Sequence, residues 1–317
     1  ASPPPVGQGN RQLKSLALGF LLMLCALGAA WLGWRWWHAR DTDHWMAEAT
    51  AADTAGDLDA ATLHYKNVLQ IDPARLDARL ALGRLYLRLR QPRAALKELE
   101  RAKPLLEKEP SLALDLARAQ FGSGEVEKAR TTLAGVRNVD AAQLAALQAD
   151  LALASGEADK ARQTLDAARA SGAEDAHLSL ATARLALSQQ DPKGADQAVQ
   201  EALKAAPDDP DALLLAARLA LARRDLKGAE ALFRKQIDHA GNKAEGPSGL
   251  VETLLAGARL EDARKALAEL VKAAPRLVNT RYLQATVAWA GQDWAKAESA
   301  LQDVLHAAPG HPQAQLL

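Results

Sequence analysis

The sequence predicts an all-α fold: a solenoid of about eight helix-turn-helix repeats with the start of a ninth, preceded by one transmembrane helix. Three observations predict it. Apolar residues make up 49% of the 317, yet aromatics are only 4%, and Ala and Leu supply most of the remainder. Such side chains lose little rotamer freedom in a helix, and Ala suits close helix contacts better than one large core. A short phrase also recurs at nearly constant spacing along most of the chain. Finally, one long uncharged stretch lies near the N-terminus.

Taken in order, residues 1–14 open with Ala1-Ser2-Pro3-Pro4-Pro5 and read as a disordered tail. Residues 15–37 follow as the anchor. Ser15 to Trp34 carries no charge and includes Phe20 among many leucines. At ~1.5 Å per residue it spans the ~30 Å hydrocarbon layer. Trp31, Trp34, Trp36 and Trp37 crowd its far end, as an aromatic belt at the membrane–water boundary does. A cleaved signal peptide, or a lipoprotein signal ending at Cys25, are the competing readings. Arg11 and Lys14 precede the stretch, while Arg35 and Arg40 follow it. The expected orientation places the N-terminus in the cytoplasm and the bulk of the chain outside it.

The array occupies residues 42–311. Its phrase is a turn, a charged residue, an Ala, and a large apolar residue four positions later. The alanines are 61, 95, 129, 161, 195, 229, 263 and 297, a step of 34 residues broken once by a step of 32. The partners four on include Tyr65, Leu99, Leu133, Leu165, Val199, Phe233, Leu267 and Leu301. Apolar residues three and four apart give each helix one buried stripe. A single pair cannot bury that stripe alone, so neighbours stack. Residues 312–317 read as the opening of a ninth repeat. No polar capping helix follows it, so the native array is expected to continue or to be covered by a partner.

This pattern resembles the tetratricopeptide repeat (TPR), a 34-residue helix-turn-helix unit. The second repeat matches it through Leu82, Gly83, Tyr86, Ala95, Leu99 and Ala102, and the first through Trp45. The resemblance implies a superhelical solenoid whose first helices line a concave, protein-binding groove. In that register the ninth position holds Arg84, Arg118, Arg184 and Arg218, and the twelfth holds Leu87, Phe121, Leu187 and Leu221. Arg88 adjoins the first pair, Asp150 and Glu252 interrupt the arginine row, and the eighth repeat offers Tyr282 and Trp289. Two readings of these arginines stay open: solvated helix formers on a face that must be polar, or a binding row whose occupant is an acidic segment with Leu or Phe anchors, because a guanidinium fork matches a carboxylate.

No catalytic constellation accompanies this surface. The seven histidines are scattered, no HExxH occurs, and the single Cys25 excludes an intramolecular disulfide. Gly122-Ser123-Gly124 reads as a turn and Asp208-Asp209-Pro210-Asp211 as a helix cap. Lys plus Arg and Asp plus Glu both number 39, so no global charge points to nucleic acid. The expectation is a non-enzymatic scaffold without cofactor or metal, with protein partners, membrane lipid around its N-terminal helix, and neither nucleic acid nor a small-molecule substrate. It resembles single-pass scaffolds of the bacterial inner membrane whose arrays lie in the periplasm, exopolysaccharide export being the expected process. A cytoplasm-facing adaptor for a soluble enzyme or protease is one alternative. A chaperone-like periplasmic subunit of the translocon or of cytochrome c maturation is the other.

Overall fold

The computed structural model describes residues 41–173, 175–239 and 244–316, together with Met23. The expected tail and anchor, with Phe20, Trp31, Trp34, Trp36 and Trp37, lie outside the described residues. Among those described, no helix is long and apolar enough to cross a membrane.

Sixteen α-helices and no strand are found among the described residues. They are α1 Thr42–Thr54, α2 Leu58–Ile71, α3 Leu76–Arg88, α4 Pro92–Arg101, α5 Leu112–Gly122, α6 Val126–Ala134, α7 Ala141–Ala154 and α8 Ala158–Ala170. Then come α9 Ala176–Ser188, α10 Pro192–Ala205, α11 Pro210–Ala222, α12 Leu226–His239, α13 Glu245–Ala256, α14 Leu260–Ala273, α15 Val278–Ala290 and α16 Trp294–Ala307. Odd-numbered helices are the first of each repeat and even-numbered ones the second.

The chain divides into two compact units, at residues 78 and 79. In the first unit, α1 packs on α2, and the Trp45 ring stacks on His64 with centroids 5.3 Å apart. Arg75 donates to Asp43 at 2.5 Å and to the Thr42 hydroxyl at 3.1 Å. In the second unit each odd helix from α5 to α15 packs on its even partner, and each from α5 to α13 also on the next odd helix. From α5 onward the first helices thus form one continuous layer.

The recurring alanines are the contact points. Ala95, Ala129, Ala161, Ala195, Ala229 and Ala263 have no exposed surface and Ala297 almost none. The opposing small residue matters as much: a Cβ on Gly83 would lie 2.5 Å from Leu99 Cδ2. The single 32-residue step has a local cause. Helix α6 stops at Ala134, one residue before Gly135, and a short loop through Asn138, at φ +60°, leads to α7. The shortening is taken from the end of a second helix and leaves the first-helix layer in register.

The loops follow expectation. Gly124 lies at φ +85° in the turn that closes α5. Asp209 caps α11 by accepting from the backbone N–H of Asp211 and Ala212, with Pro210 as the first helical residue. Pro247 sits in the first turn of α13, where its missing N–H would have no helical partner anyway. Residues 312–316 form turns, with Ala314 buried.

Candidate protein-binding face

The site is a face, built from one register repeated along the second unit. Its reference is the small residue at the centre of each first helix: Gly83, Ala117, Ala149, Ala183, Ala217, Val251 and Ala285, all buried. A side chain one residue later lies at the edge of that contact, and one four residues later lies a turn further along the same face.

One residue later stand Arg84, Arg118, Asp150, Arg184, Arg218, Glu252 and Thr286. Arg84 Nε donates to Asp115 Oδ2 at 2.8 Å, and its Nη2 donates to the Ser111 hydroxyl at 2.9 Å. Arg118 donates to Gln143 Oε1 at 2.8 Å, with Asp115 Oδ1 at 3.6 Å. Arg184 donates to Asp150 Oδ2 at 2.7 Å. Glu252 lies in the field of Arg218. Apart from the Arg118–Asp115 contact, each of these interactions runs from one first helix to the next.

This corrects the sequence reading in one respect. Asp150 and Glu252 do not interrupt an arginine row; they are its counter-charges. Asp115, which is only 8% exposed, was not foreseen at all. It falls outside the ninth position, so only the contact between α3 and α5 reveals it. Burial pushes the Asp150 carboxyl above its usual range, and Arg184 pulls it back. Burial does the same to Glu252, opposed by Arg218. Asp150 Oδ1 is buried without a hydrogen-bond partner.

Four residues later stand Leu87, Phe121, Leu153, Leu187, Leu221, Leu255 and Trp289. The row is apolar in seven consecutive repeats and none of its members is fully buried. Leu187 is 37% exposed and Trp289 45%. Leu153 and Leu255 were missed because charge was followed along the ninth position; the twelfth position alone would have found them. Arg88, at the end of α3, is exposed.

The aromatic end of the row differs from a simple anchor. Trp289 meets Trp294 edge-to-face at 4.9 Å, across the turn between α15 and α16. Tyr282 is half-buried against the His311 ring, with centroids 5.0 Å apart. Among the described residues no group of His, Cys, Asp or Glu is arranged to hold a metal ion.

One tetratricopeptide-repeat family model matches residues 54–111, and a second matches residues 180–243 and 249–312. Together they cover more than half of the sequence. Among solved structures, the chain is similar to one from the APC/C hetero-tetramer Cut9–Hcn1, with a TM-score of 0.61 and 16% identity. That match covers 87% of this chain and 55% of the other, so this chain spans about half of its length. A tetratricopeptide repeat protein from Parabacteroides merdae gives a TM-score of 0.48 at 15% identity, covering 86% of this chain and 96% of that one. Identities this low speak for the fold alone. No curated protein matches the sequence.

Proposed function

The chain belongs to the tetratricopeptide-repeat family, and from that premise we propose that it is a membrane-anchored scaffold that holds a segment of a partner protein against the first-helix face of residues 79–317. The observation that carries this reading is the apolar row Leu87, Phe121, Leu153, Leu187, Leu221, Leu255 and Trp289. Phe121, Leu153, Leu221 and Leu255 lean on the core from one side, yet none is fully covered, and Leu187 and Trp289 are exposed outright, so the row leaves an apolar edge open along seven repeats. Contiguous apolar surface of that kind marks an interaction site. A helical or extended segment with Leu or Phe anchors at regular spacing fits it.

The arginines play a narrower part here than the sequence implied. Arg84, Arg118 and Arg184 already spend hydrogen bonds on Asp115, Ser111, Gln143 and Asp150. They add polarity and register at the edge of the apolar row, while the row supplies affinity.

We place the face in the bacterial periplasm, behind the anchor of residues 15–37, within a multiprotein envelope complex of the exopolysaccharide-export kind. The support for the anchor is the uncharged stretch with its tryptophan belt; the basic residues on its two sides, Arg11 and Lys14 against Arg35 and Arg40, are balanced, so the orientation is the part the reporter fusion tests.

A photo-crosslinking residue at Leu187 in the full chain, expressed in its native membrane, tests the face. The expected result is a crosslinked partner that disappears when Leu221→Asp is added, with far-UV circular dichroism unchanged. The same probe at Lys204, an exposed position in α10, serves as the control. Equal crosslinking at both sites, or no effect of Leu221→Asp, overturns the reading.

A further inference from the structure

Helix packing in the second unit is local: every substantial contact joins helices no more than two apart in sequence. The ion pairs on the flanks are local too. Arg130–Glu157, Arg169–Glu201, Arg223–Asp196 and Arg259–Glu230 each link one repeat to the next. In such a stack the angle between repeats is set one interface at a time, and small changes accumulate along the array.

Among the described residues, the ion pairs of Arg90 break that rule. Arg90, in the turn after α3, donates from Nη2 to Oδ1 of Asp211, 121 residues away in the first turn of α11. Its Nε lies 4.0 Å from Oε2 of Glu245, the first residue of α13. A single guanidinium thus joins the turn of the second repeat to the openings of the sixth and seventh. Both acids sit in the first turn of a helix, where a negative charge is favoured in its own right. Each side chain remains partly in water, at 46% exposure for Arg90, 39% for Asp211 and 37% for Glu245.

We propose that Arg90, Asp211 and Glu245 form a salt-sensitive ionic latch that holds the second unit closed on itself, so that a partner reaches the first-helix face more readily once the latch opens. Three features support it. The contact ties distant repeats together, so it constrains the summed curvature that local interfaces leave soft. It is exposed, so its strength depends on screening, with a Debye length of ~10 Å at ~0.1 M salt and ~3 Å at ~1 M. It is also separable from the fold. Arg90 occupies a left-handed turn position, at φ +56°, which Gly56, Gly124 and Gly156 hold in the equivalent turns of other repeats and Gln190 and Gln292 in two more. Replacing Arg90 by Gly or Gln removes the guanidinium and keeps a residue the turn already accepts.

The coupling to partner entry rests on the proposed function; the latch itself does not. The test is a distance measurement by pulsed electron resonance on the full chain with Cys25→Ala, spin-labelled at Arg93→Cys and Lys204→Cys. At low salt the latched chain should give a narrow distribution. Arg90→Gly, Arg90→Gln and high salt should each move it to longer distance and broaden it, with helicity preserved. Distributions identical in wild type and both variants at both salt levels overturn the latch, whatever the crosslinking shows. If the distribution opens while crosslinking at Leu187 stays level in Arg90→Gly, the latch stands and its coupling to partner entry is refuted.

Discussion

Removing the guanidinium of Arg184 is the sharpest probe of what the ninth-position side chains do. Its target, Asp150, is 18% exposed, with Oδ1 already unpartnered, so Arg184→Ala leaves a nearly buried carboxylate with neither oxygen paired. A hydrogen bond to a charged group contributes about 1.5–3 kcal/mol. Arg184 itself is 41% exposed, so water replaces part of its contribution, and the low end of that range is expected. A loss of about 1.5 kcal/mol is roughly tenfold in local opening. Hydrogen exchange read by mass spectrometry on peptides from α7 and α9 measures this directly, and suits a stack whose unfolding need not be two-state. The effect has a pH signature. The folded carboxyl of Asp150 is raised by burial, and removing Arg184 raises it further. A raised acid binds its proton more tightly when folded, so stability falls as pH climbs from the unfolded carboxylate range, about 3.9, through the folded value. The deficit of Arg184→Ala should therefore be full at neutral pH and fade on acidification, once Asp150 is protonated in both states. Arg218→Ala, at an exposed site, should change exchange little. Unaltered protection in α7 and α9, or a deficit that grows on acidification, refutes the argument that these residues brace one first helix against the next.

Two further outcomes are expected. Gly249→Ala should destabilise the seventh repeat although Ala normally favours a helix by about 1 kcal/mol. Its Cβ would lie 2.2 Å from Phe233 Cε1, a ring with no exposed surface, so overpacking of about 1–3 kcal/mol wins; loss of exchange protection in α12 and α13, partly restored by adding Phe233→Leu, checks it. A reporter enzyme active only in the periplasm, fused after Leu317, should be active; no activity there, with activity of a cytoplasmic reporter at the same site, overturns the proposed orientation.

The repeat register was legible because it is arithmetic along one chain. A small residue at Gly83 facing Leu99, and a buried alanine four residues before that leucine, are choices made within a single helix pair, and their spacing survives in the sequence. The 32-residue step was visible, but not its place at the end of α6, since neither Ala134 nor Gly135 differs in kind from residues inside other helices. The partners of the arginines were hidden for another reason. Asp115, Gln143 and Asp150 each lie one repeat away from the arginine they pair with and occupy three different register positions, and only the approach of successive first helices brings them within 3 Å or so of a guanidinium. Arg90 is the extreme case, because the link to Asp211 depends on curvature summed over four repeats, which no local spacing records.

These two rows explain why a face this repetitive can be both firm and available. A solenoid that exposes an apolar row risks shifting its repeats to bury it. Bracing the neighbouring row with directional, charge-assisted bonds resists that shift, because a guanidinium paired at 2.7–2.9 Å tolerates little sliding between helices. The apolar side chains can then lean on the core and still keep an edge in water without pulling the helices together. The division predicts opposite responses: a change at Arg84, Arg118 or Arg184 should alter local opening first and capture second, whereas Leu187→Asp, at an exposed position, should alter capture with little effect on exchange. Finding both responses at one position would mean that bracing and binding are not separate tasks in this fold.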